Sequence, residues 1–307
     1  MCGISGIVNL SEEPVALPDV EAMMRRQRHR GPDDAGTFIE GNIGLGFVRL
    51  SILDLSEAGH QPMLSEDQRY VLIFNGEIYN YLEIKAELLP HCDFRTRTDT
   101  EVLLHAYRRW GPECLHRFNG MFAFVIYDRR NRTLFAARDR FGVKPFYYHM
   151  TEDTFVFASE IPPIFEYLRG LRQPLNPNDE VVYDYLVHSR TDLDENTFVR
   201  QIKKLRHGHS LTVADNRVSI KRWYLLQDNL VDGWNNPEEY YDVFESAVGL
   251  RLRSDVPVGI CLSGGLDSSS IASTVLSGLR KSDYYAFSAV YGEGRKGDER
   301  SFIQEYE

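Results

Sequence analysis

The chain opens on a run of small and apolar residues, Cys2-Gly3-Ile4-Ser5-Gly6-Ile7-Val8, which predicts a strand over 2–10. Ala22 to His29 predicts a short basic helix, ended by Gly31-Pro32. Ile43 to Leu53 and Tyr70 to Phe74 are strand-like. Tyr79, Leu82, Ala86 and Leu89 recur at helical spacing, and Pro90 stops that helix. Val102, Leu103, Ala106, Tyr107 and Trp110 give a second helix over 100–110. Strand-like runs follow at 120–128, 133–139, 146–149 and 154–159, parted by turns such as Asp128-Arg129-Arg130-Asn131. Many strands with two early helices predict sheets packed on each other with helices outside.

The pattern changes after about residue 215. The stretch 216–239 ends in polar sequence with Gly233, Asn235, Asn236 and Pro237, and reads as a linker. An amphipathic helix is predicted over 240–253. Val256–Leu262 is a nearly unbroken apolar strand, suited to a parallel sheet buried on both faces. A helix over 268–279 and an apolar strand over 285–291 follow. Strand, loop, helix, strand is how an α/β domain begins. The expected organisation is a domain over 2–215, a linker over 216–239 and an incomplete second domain over 240–307, too short for a full doubly wound sheet. The apolar strand at 256–262 would then lack neighbours.

Composition narrows the function classes. A chain of 307 residues with 43% hydrophobic and 26% charged residues is ordinary globular material. Its net charge of −10 argues against a phosphate-backbone binder, so no nucleic-acid partner is expected. Residues 1–24 contain no Lys or Arg, unlike a basic targeting segment. No apolar run approaches the roughly 20 residues that span a bilayer, so no membrane partner is expected either. None of Cys2, Cys92, Cys114 and Cys261 forms a C-x-x-C pair. Reduced thiols and a cytoplasmic setting fit best.

Position gives Cys2 its chemical interest. Removal of Met1, expected before a small side chain, leaves a thiol and a free α-amine on one residue. An α-amine titrates near ~7.7–8.0 and can take the thiol proton at neutral pH. One residue then supplies nucleophile and base. The plainer alternative is a small residue opening a buried strand.

Further motifs stand in a fixed order behind Cys2. They are Arg28-His29-Arg30-Gly31-Pro32-Asp33, Arg49-Leu50-Ser51-Ile52, Asn75-Gly76-Glu77-Ile78-Tyr79-Asn80, Thr98-Asp99-Thr100-Glu101 and Arg138-Asp139-Arg140-Phe141-Gly142. Taken singly each has an ordinary reading. Asn75-Gly76 reads as a turn, Arg49 as a surface charge and Asp99 as a helix cap. The segment Arg138–Lys144 reads as a structural turn with internal salt bridges. His29 is not needed as a base, and His207-Gly208-His209 lacks a third metal ligand and reads as a loop.

Together, over residues 2–215, the set resembles class II glutamine amidotransferases. The resemblance implies an α+β N-terminal-nucleophile sandwich in αββα layers. It implies that Cys2 attacks the glutamine amide while Asn75 and the Gly76 amide hold the oxyanion, an interaction worth several kcal/mol of barrier. It also implies that Arg49 grips the substrate α-carboxylate, and that Glu77 and Asp99 bind its α-ammonium.

Ser263-Gly264-Gly265-Leu266-Asp267-Ser268-Ser269 lies between an apolar strand and a helix. Glycine backbone and a helix N-terminus suit phosphate oxygens. The loop lacks the lysine of a Walker A motif and could simply be a capped βα turn. It resembles the S-G-G-x-D-S loop of the ATP pyrophosphatase superfamily. By that resemblance Ser263, Gly264, Gly265, Ser268 and Ser269 hold pyrophosphate, and Asp267 binds Mg²⁺. Backbone near Cys261 and Ala289 would face the nucleoside.

The two halves together are similar to the glutamine-dependent asparagine synthetase family. That implies glutamine, aspartate and ATP as partners, and ATP and Mg²⁺ as cofactors. Ammonia from glutamine would pass internally to an adenylated aspartate. A homodimer is compatible with this. A different carboxylate acceptor, a glutaminase-only fragment, or a binding protein keeping the same fold are the alternatives.

Overall fold

A computed structural model describes residues 1–231, 233, 236–281, 284–291 and 298–306. Asn235, named above as a linker residue, lies outside them. The chain divides into two compact units, Met1–Leu230 and Val231–Glu307.

The first unit holds two six-stranded sheets. Strands β1 (Gly3–Asn9), β2 (Asp34–Glu40), β3 (Ile43–Arg49), β4 (Met63–Leu64), β5 (Tyr70–Ile78), β6 (Gly120–Asp128), β7 (Thr133–Arg138), β8 (Tyr147–Met150), β9 (Thr154–Ala158), β10 (Lys203–Lys204), β11 (His209–Ala214) and β12 (Arg217–Arg222) follow in the chain. One sheet runs β10-β8-β9-β1-β3-β2 and the other β12-β11-β7-β6-β5-β4. Every pairing in both is antiparallel.

Side chains alternate across each strand, and that alternation builds three apolar layers. Ile4, Leu45, Phe47, Val71, Ile73 and Val125 fill the space between the sheets. Ile7, Val48 and Val156 face the opposite way, onto helices α1 (Leu17–Arg26) and, later in the chain, Ile161–Gly170. Leu72, Phe74, Phe122 and Phe124 face helices α2 (Tyr81–Leu88) and α3 (Asp99–Trp110). This is the predicted αββα sandwich.

Several boundaries differ from the periodicity. Helix α1 begins at Leu17, ahead of the expected Ala22, because Pro18 suits a first helical turn. A separate 3₁₀ turn covers Arg28–Arg30. Strand β3 stops at Arg49, since the Arg49 side chain bonds the backbone that follows it. Strand β5 continues through Asn75-Gly76 to Ile78, because β6 pairs along its whole length. Strand β12 pairs with β11 inside the segment expected as linker, so the first unit runs to Leu230.

In the second unit a helix spans Pro237–Arg251, with the Asn236 side chain accepting from the Glu239 N–H as its cap. Among the described residues there, Gly259–Cys261 and Tyr285–Phe287 form strands, and they pair in parallel. Gly259 and Cys261 are exposed. The strand expected to be buried on both faces is not, because one neighbour covers it. A helix over Leu266–Ser273 follows the serine-glycine loop. No helix among the described residues is long and apolar enough to cross a membrane.

Candidate active site

Five elements of the sandwich meet at one place. Strand β1 is antiparallel to β3 with Gly3 opposite Val48, so Cys2 lies beside Arg49. The end of β5 supplies Asn75, Gly76 and Glu77, the start of α3 supplies Asp99, and the turn after β7 supplies Lys144. All seven, with Leu50, Gly59, Gln61 and Thr98 among others, line a cavity of about 90 Å³.

Cys2 is half-buried and held on both sides. The Leu50 N–H donates to Sγ at 3.4 Å, and Sγ donates to the Leu50 carbonyl at 3.5 Å. The Arg30 Nε donates to the Cys2 carbonyl at 2.9 Å, and Arg30 is itself paired with Glu160 at 2.8 Å. Burial pushes the thiol up, and the Leu50 hydrogen bond and nearby positive charge oppose it. Before Met1 is removed, burial pulls the Met1 α-amine below its usual value. His29 sits 3.1 Å from Glu160 and does not line the cavity.

Asn75 is buried at 1% exposure, and its Nδ2 has no hydrogen-bond partner. A buried donor without a partner is costly. That donor is open to an acceptor on a ligand. Gly76 follows in the strand, where a Cβ would come within 2.3 Å of the Met121 carbonyl oxygen. The expected turn at Asn75-Gly76 is thus a strand segment, and glycine is there for want of space.

Arg49 is buried, and three carbonyls of the following loop accept hydrogen bonds from it. Nη1 donates to Ser56 at 2.9 Å, and Nη2 donates to Leu53 at 3.2 Å and Asp54 at 2.5 Å. A guanidinium has five donors, and these bonds use three of them. The expected surface charge is a buried post for the loop over 50–56.

Asp99 is the first residue of α3, not its cap. Thr98 caps the helix, its hydroxyl accepting from the Glu101 N–H at 3.2 Å. The Asp99 carboxylate accepts from the Ile78 N–H at 2.9 Å. Burial raises Asp99 to about 7, against the Ile78 bond and with the help of Glu77. Glu77 is raised by burial and lowered by Lys144. A cavity with Arg49 at one wall and two adjacent carboxylates at another suits a zwitterion.

Sequence reasoning missed Lys144, which is 6% exposed. The turn that carries it is not held by internal salt bridges as expected. The Asp139 carboxylate instead accepts from the N–H groups of Phe122, Phe141, Val143 and Lys144 at 3.2, 3.1, 3.0 and 2.9 Å. Arg138 donates to the carbonyls of Lys144, Gly142 and Leu205 at 2.7, 2.7 and 2.6 Å. The signal available was the Phe141-Gly142-Val143-Lys144 continuation of the motif.

The Ser263–Ser269 loop lies in the second unit. Gly264 has φ +82°, a conformation that favours glycine. The Ser263 N–H donates to Ser268 Oγ at 3.2 Å, the two hydroxyls lie 3.0 Å apart, and the Gly265 N–H donates to Ser263 Oγ at 3.4 Å. Asp267 stands in the first turn of the helix, with Ser268 and Ser269 after it. Cys261 ends its strand, and Ala289 lies just beyond the parallel partner, exposed. Hydroxyls and N–H groups at a helix start fit a phosphate. The Asp267 carboxylate is an oxygen donor of the kind a hard cation would take.

Residues 1–224 match the family described as glutamine amidotransferase domain, and residues 239–307 match asparagine synthase. The chain belongs to the glutamine amidotransferase family. It is 38% identical to a putative asparagine synthetase (glutamine-hydrolyzing) 2 of Methanocaldococcus jannaschii, over 99% of this chain and 62% of that one. It is 37% identical to asparagine synthetase (glutamine-hydrolyzing) 1 of Bacillus subtilis, over 89% of this chain and 43% of that one. The chain thus spans about half the length of the curated relatives it matches. Among solved structures, a glutamine phosphoribosylpyrophosphate amidotransferase from B. subtilis has a TM-score of 0.56 at 17% identity, covering 95% of this chain and 67% of that one. That likeness carries the N-terminal-nucleophile fold.

Proposed function

We propose that Cys2, once Met1 is removed, hydrolyses glutamine, and that the ammonia serves ATP-dependent asparagine synthesis. The observation that carries this reading is the unpartnered Asn75 Nδ2 on the wall of the cavity that Cys2 shares with Arg49 and Asp99. A bound amide would bring the missing acceptor.

Each side chain then has a task. The Cys2 α-amine takes the thiol proton, and the thiolate attacks the glutamine side-chain carbonyl. Asn75 Nδ2 and the Gly76 N–H receive the developing oxyanion. Arg49 holds the α-carboxylate, and Glu77 and Asp99 hold the α-ammonium. Ammonia leaves, water hydrolyses the γ-glutamyl thioester, and glutamate departs. In the second unit Ser263, Gly264, Gly265, Ser268 and Ser269 would hold the pyrophosphate of ATP and Asp267 its Mg²⁺, with the backbone of Cys261 and Ala289 along the nucleoside. Bound there, MgATP would activate an aspartate carboxylate for amidation, giving asparagine, AMP and pyrophosphate. All four cysteines are free thiols, which supports a cytoplasmic setting.

The test is glutamate release from glutamine, with mass spectrometry first establishing that Met1 is gone. Release that disappears in Cys2→Ala supports the reading. A processed, folded chain that binds glutamine without releasing glutamate overturns it. Asparagine formation from aspartate and MgATP by the relative-length chain tests the second half.

A further inference from the structure

We propose that Lys144 is the fixed charge that keeps Cys2 reactive, a buried ammonium on the wall of the same cavity. This rests on the reading of Cys2 as nucleophile. Lys144 acts on Cys2 and not on the substrate, so it is a positioning residue.

The geometry comes first. Lys144 is 142 residues from Cys2 in sequence but lines the cavity with it. Its backbone is fixed at both polar atoms: the N–H donates to Asp139 and the carbonyl accepts from Arg138. A surface turn has no need of a lysine held so firmly and 94% out of solvent.

The charges around Cys2 come from several elements. Lys144 and Asp99 act on the thiol itself, Arg30 and Asp33 act on the chain terminus before it, and Glu77, Arg30 and Asp139 act on Lys144. Arg49 also lines the cavity. Arg30 is paired with Glu160, and Arg49 is turned to the loop carbonyls. The α-amine must be neutral to act as base. Lys144 is the side-chain cation that the Cys2 thiol feels; burial lowers Lys144, and Glu77 and Cys2 oppose that. Burial and, less strongly, Asp99 push the thiol up; the Leu50 N–H and Lys144 pull it down. The pull of Lys144 favours the thiolate.

The experiment measures the pH dependence of Cys2 alkylation by iodoacetamide in the processed chain. The N-terminal peptide is read by mass spectrometry, which separates Cys2 from Cys92, Cys114 and Cys261. Lys144→Met and Lys144→Gln should raise the midpoint by about one pH unit, roughly tenfold less thiolate at neutral pH. Lys144→Arg, which keeps the charge, should leave it near the parent value. Two uncharged variants that melt like the parent and share its midpoint would overturn the proposal, as would an arginine variant that shifts like methionine. Alkylation needs no glutamine. A chain that shows the shift but releases no glutamate would refute the glutaminase reading and leave the action of Lys144 on Cys2 standing.

Discussion

Gly59 packs directly on the guanidinium of Arg49, where a Cβ would lie 1.9 Å from Nη2 and 2.4 Å from Cζ. Arg49 cannot yield freely, because the carbonyls of Leu53, Asp54 and Ser56 hold it. Gly59→Ala therefore displaces the residue assigned to the glutamine carboxylate, while Cys2 and Asn75 keep their places. The expected result is a rise of about tenfold or more in glutamine KM with a smaller change in kcat, since uniform binding is what is lost. Steady-state glutaminase kinetics measure it. An unchanged KM would mean that Arg49 does not grip the substrate.

Much of this was legible in the chain, and the exceptions have physical causes. Strand β1 and helices α2 and α3 follow from apolar spacing. Asn75-Gly76 misleads locally, because its turn preference is overridden by pairing with Ala123 and Phe122 across the sheet. Asp99 resembles a cap because a cap does stand there, one residue earlier, at Thr98. Lys144 is invisible to spacing arguments, since only the Asp139-centred turn turns a surface-type residue inward. The apolar run at 256–262 predicts a strand correctly at 259–261, but burial on both faces depends on neighbouring strands that local sequence does not contain.

Asp99 should make stability and activity pull against each other. Its folded value of about 7 lies above the ordinary 3.8. Between those values the folded protein holds a proton that the unfolded chain has released, so this group's contribution to stability falls as pH rises through the window. Asp99→Asn removes that loss and can still accept the Ile78 N–H. The variant should be more stable than the parent at pH 8, by on the order of 2 kcal/mol, and level with it near pH 4. It should have little glutaminase activity, because the α-ammonium loses a charge partner. In the parent, kcat/KM should climb as pH rises toward 7, as Asp99 ionises. Denaturant melts at the two pH values and a kcat/KM profile test both halves. A variant destabilised at pH 8 would show that the buried charge is well compensated.

Glu101, two residues on, has the opposite sign. Burial pushes it up, but the His105 side chain, the Arg95 and Thr96 N–H groups and the Thr96 hydroxyl outweigh burial and bring it to about 2. The contacts are short, 2.9 Å from Arg95 N, 2.7 Å from Thr96 N and 2.9 Å from Thr96 Oγ1. They tie the chain over 95–98 onto α3 and so set where Thr98 and Asp99 stand. A depressed carboxylate stabilises above its unfolded value of 4.5, and that stability is lost as pH falls through about 2. Glu101→Gln should cost about 1–3 kcal/mol at neutral pH and flatten the acid limb of the stability curve. Equal parent and variant slopes between pH 5 and pH 2 (both by urea melts) would contradict it.

Asn75 separates a catalytic cost from a structural one. Its Nδ2 makes no hydrogen bond in the folded protein, so Asn75→Ala forfeits none from that atom. The loss should appear where the oxyanion forms. The expected fall in kcat is about 10²–10³-fold, with glutamine KM changed by no more than a few-fold. The melting temperature should stay within a few degrees of the parent, because a buried orphan donor is removed as a small cavity is created, and the two effects oppose each other. A large loss of stability with kcat preserved would reverse the assignment. Asn75 would then be a structural member of strand β5, and the oxyanion would rest on the Gly76 N–H alone.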